Sequence, residues 1–135
     1  MRDEYSKWLP MGPAALHILL ALAGDPLHGY GIMQEVARQS DGKYRIGPGT
    51  LYDNLKKLMS DGLVEESLRG TSNRTRRRLE RGEGWGGAAT GSERAKRYYR
   101  LSGLGRGVLA AEADRLQGVV HEARGRLRGL KPRRA

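Results

Sequence analysis

Apolar side chains recur along the first half of this chain with the period of an α-helix. Ala14, Ala15, Ile18, Leu19, Leu22 and Ala23 form one wide apolar face, which predicts a well-buried first helix. Pro13 suits its first turn, where a missing N–H costs nothing, and Gly24-Asp25-Pro26 ends it. A second helix is predicted over about residues 29–40, with Ile32, Met33, Val36 and Ala37 inward, then a turn at Asp41-Gly42. Ile46 is a lone apolar anchor in the connector. The third helix is the clearest. Pro48 follows Gly47 at its start, and Leu51, Leu55, Leu58 and Met59 sit at i, i+4, i+7 and i+8 of one face. Asp61-Gly62 closes it as a glycine commonly closes a helix.

Residues 63–68 read as a short strand and residues 96–101 as its partner. Between them, residues 69–94 carry six glycines and a cluster of arginines with too few apolar residues to pack, which predicts a long, disordered hairpin tip. Ser102 is the expected N-cap of the last helix. From Leu109 the apolar positions run Ala113, Leu116, Val120, Ala123, Leu127 and Leu130, alternating steps of four and three. That is a heptad seam, and it asks for a partner helix. Gly118, Gly125 and Gly129 each weaken the helix by about 1 kcal/mol, so the seam needs packing to hold. The organisation expected is an N-terminal arm (1–12), a main domain (13–101), a dimerisation helix (102–130) and a basic tail (131–135).

Charge separates the parts further. The chain has 135 residues and a formal net charge of +10, but residues 1–68 hold 7 basic and 9 acidic side chains. Residues 69–100 hold 10 and 3, and residues 101–135 hold 8 and 3. A basic surplus confined to part of a chain points to a polyanion, with nucleic acid ahead of an anionic membrane. The apolar run 14–23 is interrupted by His17 and is about half the ~20 residues a membrane-spanning helix needs. Asp3, Glu4, Pro10 and Pro13 precede it where a secretory signal would be basic, so a soluble, cytoplasmic chain is expected. With 0 cysteines, disulfides, thiolate metal sites and thiol catalysis are excluded. Three scattered histidines and no HExxH, GxSxG or phosphate-loop pattern leave no enzyme to assemble, and neither a cofactor nor a metal is expected.

Three helices, a two-stranded hairpin and a dimerising helix make the order of a winged helix-turn-helix protein, mainly α with a small β-hairpin. Four motifs sharpen this. Leu27-His28-Gly29-Tyr30-Gly31-Ile32 opens the second helix, and Gly47-Pro48-Gly49-Thr50-Leu51-Tyr52 opens the third. Leu58-Met59-Ser60-Asp61-Gly62-Leu63-Val64 leads into the wing, and Tyr98-Tyr99-Arg100-Leu101-Ser102 with Gly105-Arg106 closes it. In these motifs the chain resembles the PadR family of bacterial transcriptional regulators over about residues 14–68 and 95–110. Its single C-terminal helix is similar to that of the short-type members. The resemblance implies a homodimeric repressor bound to double-stranded DNA at a palindromic operator. It also implies a small aromatic effector, as in members that respond to phenolic acids or flat cationic drugs. The tryptophan that some short-type members carry in the last helix is absent, since the two here are Trp8 and Trp85.

Helical phase places the contacts. With Leu51, Leu55 and Leu58 inward, Gly49, Asp53, Lys56, Lys57 and Ser60 turn outward, and Thr50, Tyr52 and Asn54 fall on the flanks. Gly49 allows close backbone approach; Thr50 and Tyr52 suit phosphate or a thymine methyl; Lys56 and Lys57 suit phosphate or a guanine edge. The resemblance points to Thr50 and Tyr52 again and adds Tyr30. Asp53 is at odds with phosphate unless it accepts from a cytosine amine. Arg76 and Arg77 in the wing tip suit a narrow minor groove, and Arg97 lies in the second wing strand. Leu109, Leu116, Val120 and Leu127 are the expected dimer contacts. The alternative is a winged-helix protein-interaction module, which lacks the steep salt dependence of phosphate binding.

Overall fold

A computed structural model of the chain describes residues 2–67 and 97–129. In order, the elements are a 3-10 helix Arg2–Trp8, α1 Pro13–Ala21, β1 Leu27–His28, α2 Gly29–Gln39, α3 Pro48–Ser60, β2 Val64–Ser67, β3 Tyr98–Leu101 and α4 Gly103–Arg128. Pro13 and Pro48 stand at the first turns of α1 and α3, as their fixed φ favours. The other two helices are capped by side chains. His28 Nδ1 accepts the Gly31 N–H at 3.1 Å, and Ser102 Oγ accepts the Gly105 N–H at 2.9 Å. Ser102 Oγ also donates to the Gly62 carbonyl at 2.6 Å, so one hydroxyl joins the end of α3 to the start of α4. Gly62 itself has φ +80°, the left-handed conformation expected where Asp61-Gly62 stops α3.

Ile18, Leu19 and Leu22 of the α1 segment meet Ile32 and Val36 of α2, Leu51, Leu55 and Leu58 of α3, and Leu63, Val64, Leu101 and Val108 in one buried cluster. Full burial of each such aliphatic side chain contributes about 1.5–3 kcal/mol, so this cluster is what holds α3 in place. Ala23, expected on the buried face of α1, is exposed, because α1 ends at Ala21 and the chain has already turned.

Three features depart from the sequence reading. The hairpin of β2 and β3 gains a third strand, giving the antiparallel order β1-β3-β2, with Leu27 opposite Tyr99 and His28 opposite Tyr98. Two residues are too few to show strand alternation, and pairing to β3 defines β1 instead. The His28 and Tyr98 rings meet edge-on at 5.4 Å across that pair. Second, the segment read as an arm is docked. Tyr5, Trp8, Leu9 and Met11 pack against the core, and the Met11 N–H donates to Glu112 Oε2 at 3.1 Å. Third, the boundary at residue 102 divides no bodies. Gly105, Val108, Ala111 and Glu112 of α4 are buried in the winged domain, whereas residues from 117 to 129 are all exposed. The wing tip 69–94 and the tail 131–135 lie outside the described residues.

Candidate nucleic-acid interface

The α3 phase set by Leu51, Leu55 and Leu58 leaves Gly49, Thr50, Asp53, Lys56, Lys57 and Ser60 exposed along one side. Asn54 is half-buried, and its Nδ2 donates to the Thr50 carbonyl at 2.8 Å, so its amide is tied to its own helix. Among the described residues, neither Lys56 nor Lys57 is ion-paired, which leaves both ammonium groups available to an anion. Tyr30, at the first turn of α2, is 64% exposed, and Tyr52 is 49% exposed. All six sequence-predicted contacts on α2 and α3 are therefore solvent-accessible. Two opposite charges, Asp53 and Asp61, flank the lysines and keep this face close to neutral.

The described part of the wing is also neutral. Arg97 Nη1 pairs with Glu66 Oε2 at 2.8 Å, and Arg100 Nε pairs with Glu65 Oε2 at 3.0 Å. Arg100 faces Glu65 directly in the β2–β3 register. All four side chains are more than 40% exposed, so each pair contributes little to stability, of the order of 0–1 kcal/mol. Arg97 is exposed, but an anion must compete with Glu66 for it. Arg76 and Arg77 lie outside the described residues.

Along α4 the heptad seam divides. Leu109 packs on the chain's own core, and Leu116 is half-buried. Val120 and Leu127 are 48% and 66% exposed, with Val119 beside them at 52%. An apolar stripe thus leaves the domain on a helix whose 26 residues span about 39 Å.

Two features of the structure were not singled out from the sequence. Glu112 is wholly buried and accepts from Arg115 Nε at 2.6 Å and Nη2 at 2.8 Å, as well as from Met11. The Arg115 guanidinium first, with the Met11 N–H adding, holds this carboxyl below the ordinary glutamate range despite burial. A carboxylate on the face shared with Gly105, Val108 and Ala111, three residues before an arginine, was the available signal. The second is a groove of about 710 Å³ between Trp8, Pro10 and Met11 on one side and Asn54, Lys57 and Asp61 on the other. It runs beside α3.

Three helices, a three-stranded wing sheet and a long terminal helix with an exposed apolar stripe define a winged-helix protein of the regulatory class. Comparison with known proteins agrees. Residues 18–80 match the Transcriptional regulator PadR-like family. The chain is 36% identical over 110 residues to the transcriptional regulator Rv3488 of Mycobacterium tuberculosis, covering 82% of this chain and 81% of that protein. Its fold is similar to that of a transcriptional regulator from Clostridium thermocellum, with a TM-score of 0.57 at 18% identity, covering 91% of this chain and 93% of the other. A PadR-like transcription factor from Bacteroides fragilis gives 0.56 at 21% identity, covering 93% and 99%. The chain belongs to the PadR-like family of transcriptional regulators, whose members are not enzymes. No helix among the described residues is long and apolar enough to cross a membrane.

Proposed function

We propose that the chain is a cytoplasmic, homodimeric repressor that recognises a palindromic DNA operator through α3. The observation that carries this reading is the accessible row of Thr50, Lys56 and Lys57 on a helix fixed by core leucines, with Tyr30 and Tyr52 exposed beside it. A helix so placed enters the major groove, where hydroxyls and ammonium groups meet phosphates and base edges. Dimerisation through Leu116, Val120 and Leu127 sets two copies of α3 on half-sites about one DNA turn, ~34–36 Å, apart. The wing, with Arg97 at its base and Arg76 and Arg77 beyond, holds the flanking backbone.

Selection of bound duplexes from a random DNA pool tests this in one experiment. A palindromic consensus with half-sites one turn apart is expected. Replacing Lys56 and Lys57 by alanine should lower affinity for the selected duplex and flatten its salt dependence, by about one in log–log slope for each phosphate that is no longer neutralised. Enrichment of no sequence, or an unchanged salt slope in the double variant, refutes the reading.

A further inference from the structure

We propose that Gly29 is a positioning residue for Tyr52, and that the lodging of the Tyr52 phenol on the bare backbone of Gly29 fixes how α3 presents itself to DNA. The inference rests on α3 being the DNA-reading helix. Gly29 is the first residue of α2 and is buried. A Cβ at this position would overlap Tyr52 Oη and stand 3.0 Å from Tyr52 Cζ. Its own backbone does not call for glycine. The described residues with positive φ are Asp41, Gly42 and Gly62, so alanine fits the conformation of Gly29 and is the better helix former. What excludes a side chain at Gly29 is first the neighbouring phenol, with the end of the Leu51 side chain next, its Cδ2 at 3.4 Å.

A neighbouring phenol feels the same ring. The Tyr99 phenol of β3 is pushed above the ordinary tyrosine range, first by its burial and then by the proximity of Tyr52. Tyr52 of α3 has its tip lodged at the start of α2, directly after the strand that pairs with β3, and half of its surface is open. Tyr30, the other exposed tyrosine, follows Gly29 directly on α2. Because the obstructing atoms are the far end of a side chain, the ring can swing away. Gly29→Ala should then spare the fold and move Tyr52. Two residues along the same helix, a Cβ at Gly31 would meet its nearest neighbours at 3.6 Å, an ordinary contact.

The test compares Gly29→Ala, Tyr52→Ala, the double variant and Gly31→Ala as a control. Two readouts are used: carbon–proton NMR of the tyrosine rings in free protein, with Tyr52 assigned by Tyr52→Phe, and affinity for the duplex selected by the unaltered chain. Gly29→Ala is expected to shift the Tyr52 ring signals, unfold cooperatively, and weaken binding about tenfold, as removal of one specific DNA contact would. The double variant should bind no more weakly than Tyr52→Ala alone, and Gly31→Ala should bind normally. Unmoved Tyr52 signals, unweakened binding by Gly29→Ala, or additive effects in the double variant would overturn the inference. If the unaltered chain selects no duplex, the DNA reading fails instead, and the ring signals still decide the packing claim.

Discussion

Replacing Glu112 by glutamine removes one charge from the place where the N-terminal segment is fastened to α4. The carboxylate accepts three hydrogen bonds, two from Arg115 and one from the Met11 N–H, with its side chain 1% exposed. Net contributions of about 1.5–3 kcal/mol are typical for hydrogen bonds to a charged group. Glutamine keeps an acceptor for Met11 but meets the guanidinium without charge. Arg115 is 37% exposed and recovers water, so the loss falls short of the roughly 3–5 kcal/mol for stranding a fully buried partner. The expected cost is about 2 kcal/mol, which for a chain of this size lowers the thermal midpoint by about 6–10 °C. Met11, and with it the packing of Tyr5 and Trp8, depends on that carboxylate.

The pH dependence gives the sharper reading. The Glu112 carboxyl is held below its ordinary value in the folded chain, so the unfolded chain binds its proton more readily. Its stabilisation is then complete above the unfolded pKa, about 4.3, and is lost as pH falls through the lower folded value. Glutamine does not titrate. Melting curves of both proteins at one fixed concentration should therefore show a full gap at pH 7 that narrows below about pH 4. A gap that is absent at pH 7, or that keeps its size down to pH 3, refutes this assignment of the interaction.

Three further predictions concern α4. A Cβ on Gly105 would overlap the backbone carbonyl of Leu63, which cannot swing aside, so Gly105→Ala should cost about 1–3 kcal/mol in chemical denaturation. Gly118→Ala, on the helix face opposite the seam with nothing within 4 Å, should instead gain up to about 1 kcal/mol. Val120→Asp with Leu127→Asp should shift the light-scattering mass from two chains to one while helical circular dichroism of the domain persists; a mass of one chain before mutation would dismiss the dimer.

Periodicity carries far where packing is one-sided. The three leucines of α3 define its phase, and that phase alone predicts which residues face out, because Leu51, Leu55 and Leu58 are all buried. Proline and cap residues mark the starts of α1, α3 and α4 for the same local reason. What is missed depends on partners distant in sequence. The docking of the N-terminal segment rests on a bond between residues 101 positions apart, and β1 exists only through its pairing with β3. Neither leaves a periodic trace. The lodging of Tyr52 on Gly29 and the pairing of Arg97 with Glu66 belong to the same kind, since both follow from how elements meet.

Charge shows why surface exposure and binding energy need separate treatment in this chain. Of the formal +10, the described residues 2–67 and 97–129 account for only +2, with 14 basic and 12 acidic side chains. The other +8 belongs to residues 68–96 and 130–135. On α3, Lys56 and Lys57 are offset by Asp53 and Asp61, and at the wing base Arg97 and Arg100 are matched by Glu66 and Glu65. Affinity for phosphate scales with charges that displace counterions, whereas discrimination among sequences scales with groups set against base edges. On the proposed reading, a near-neutral α3 discriminates more than it attracts. Most of the salt dependence then resides in the two basic segments, and Lys56 and Lys57 contribute only their own share of the slope. Weak non-specific attraction at the reading helix has a further effect: a mismatched site gains little from α3, so discrimination there falls to the setting of Thr50 and Tyr52.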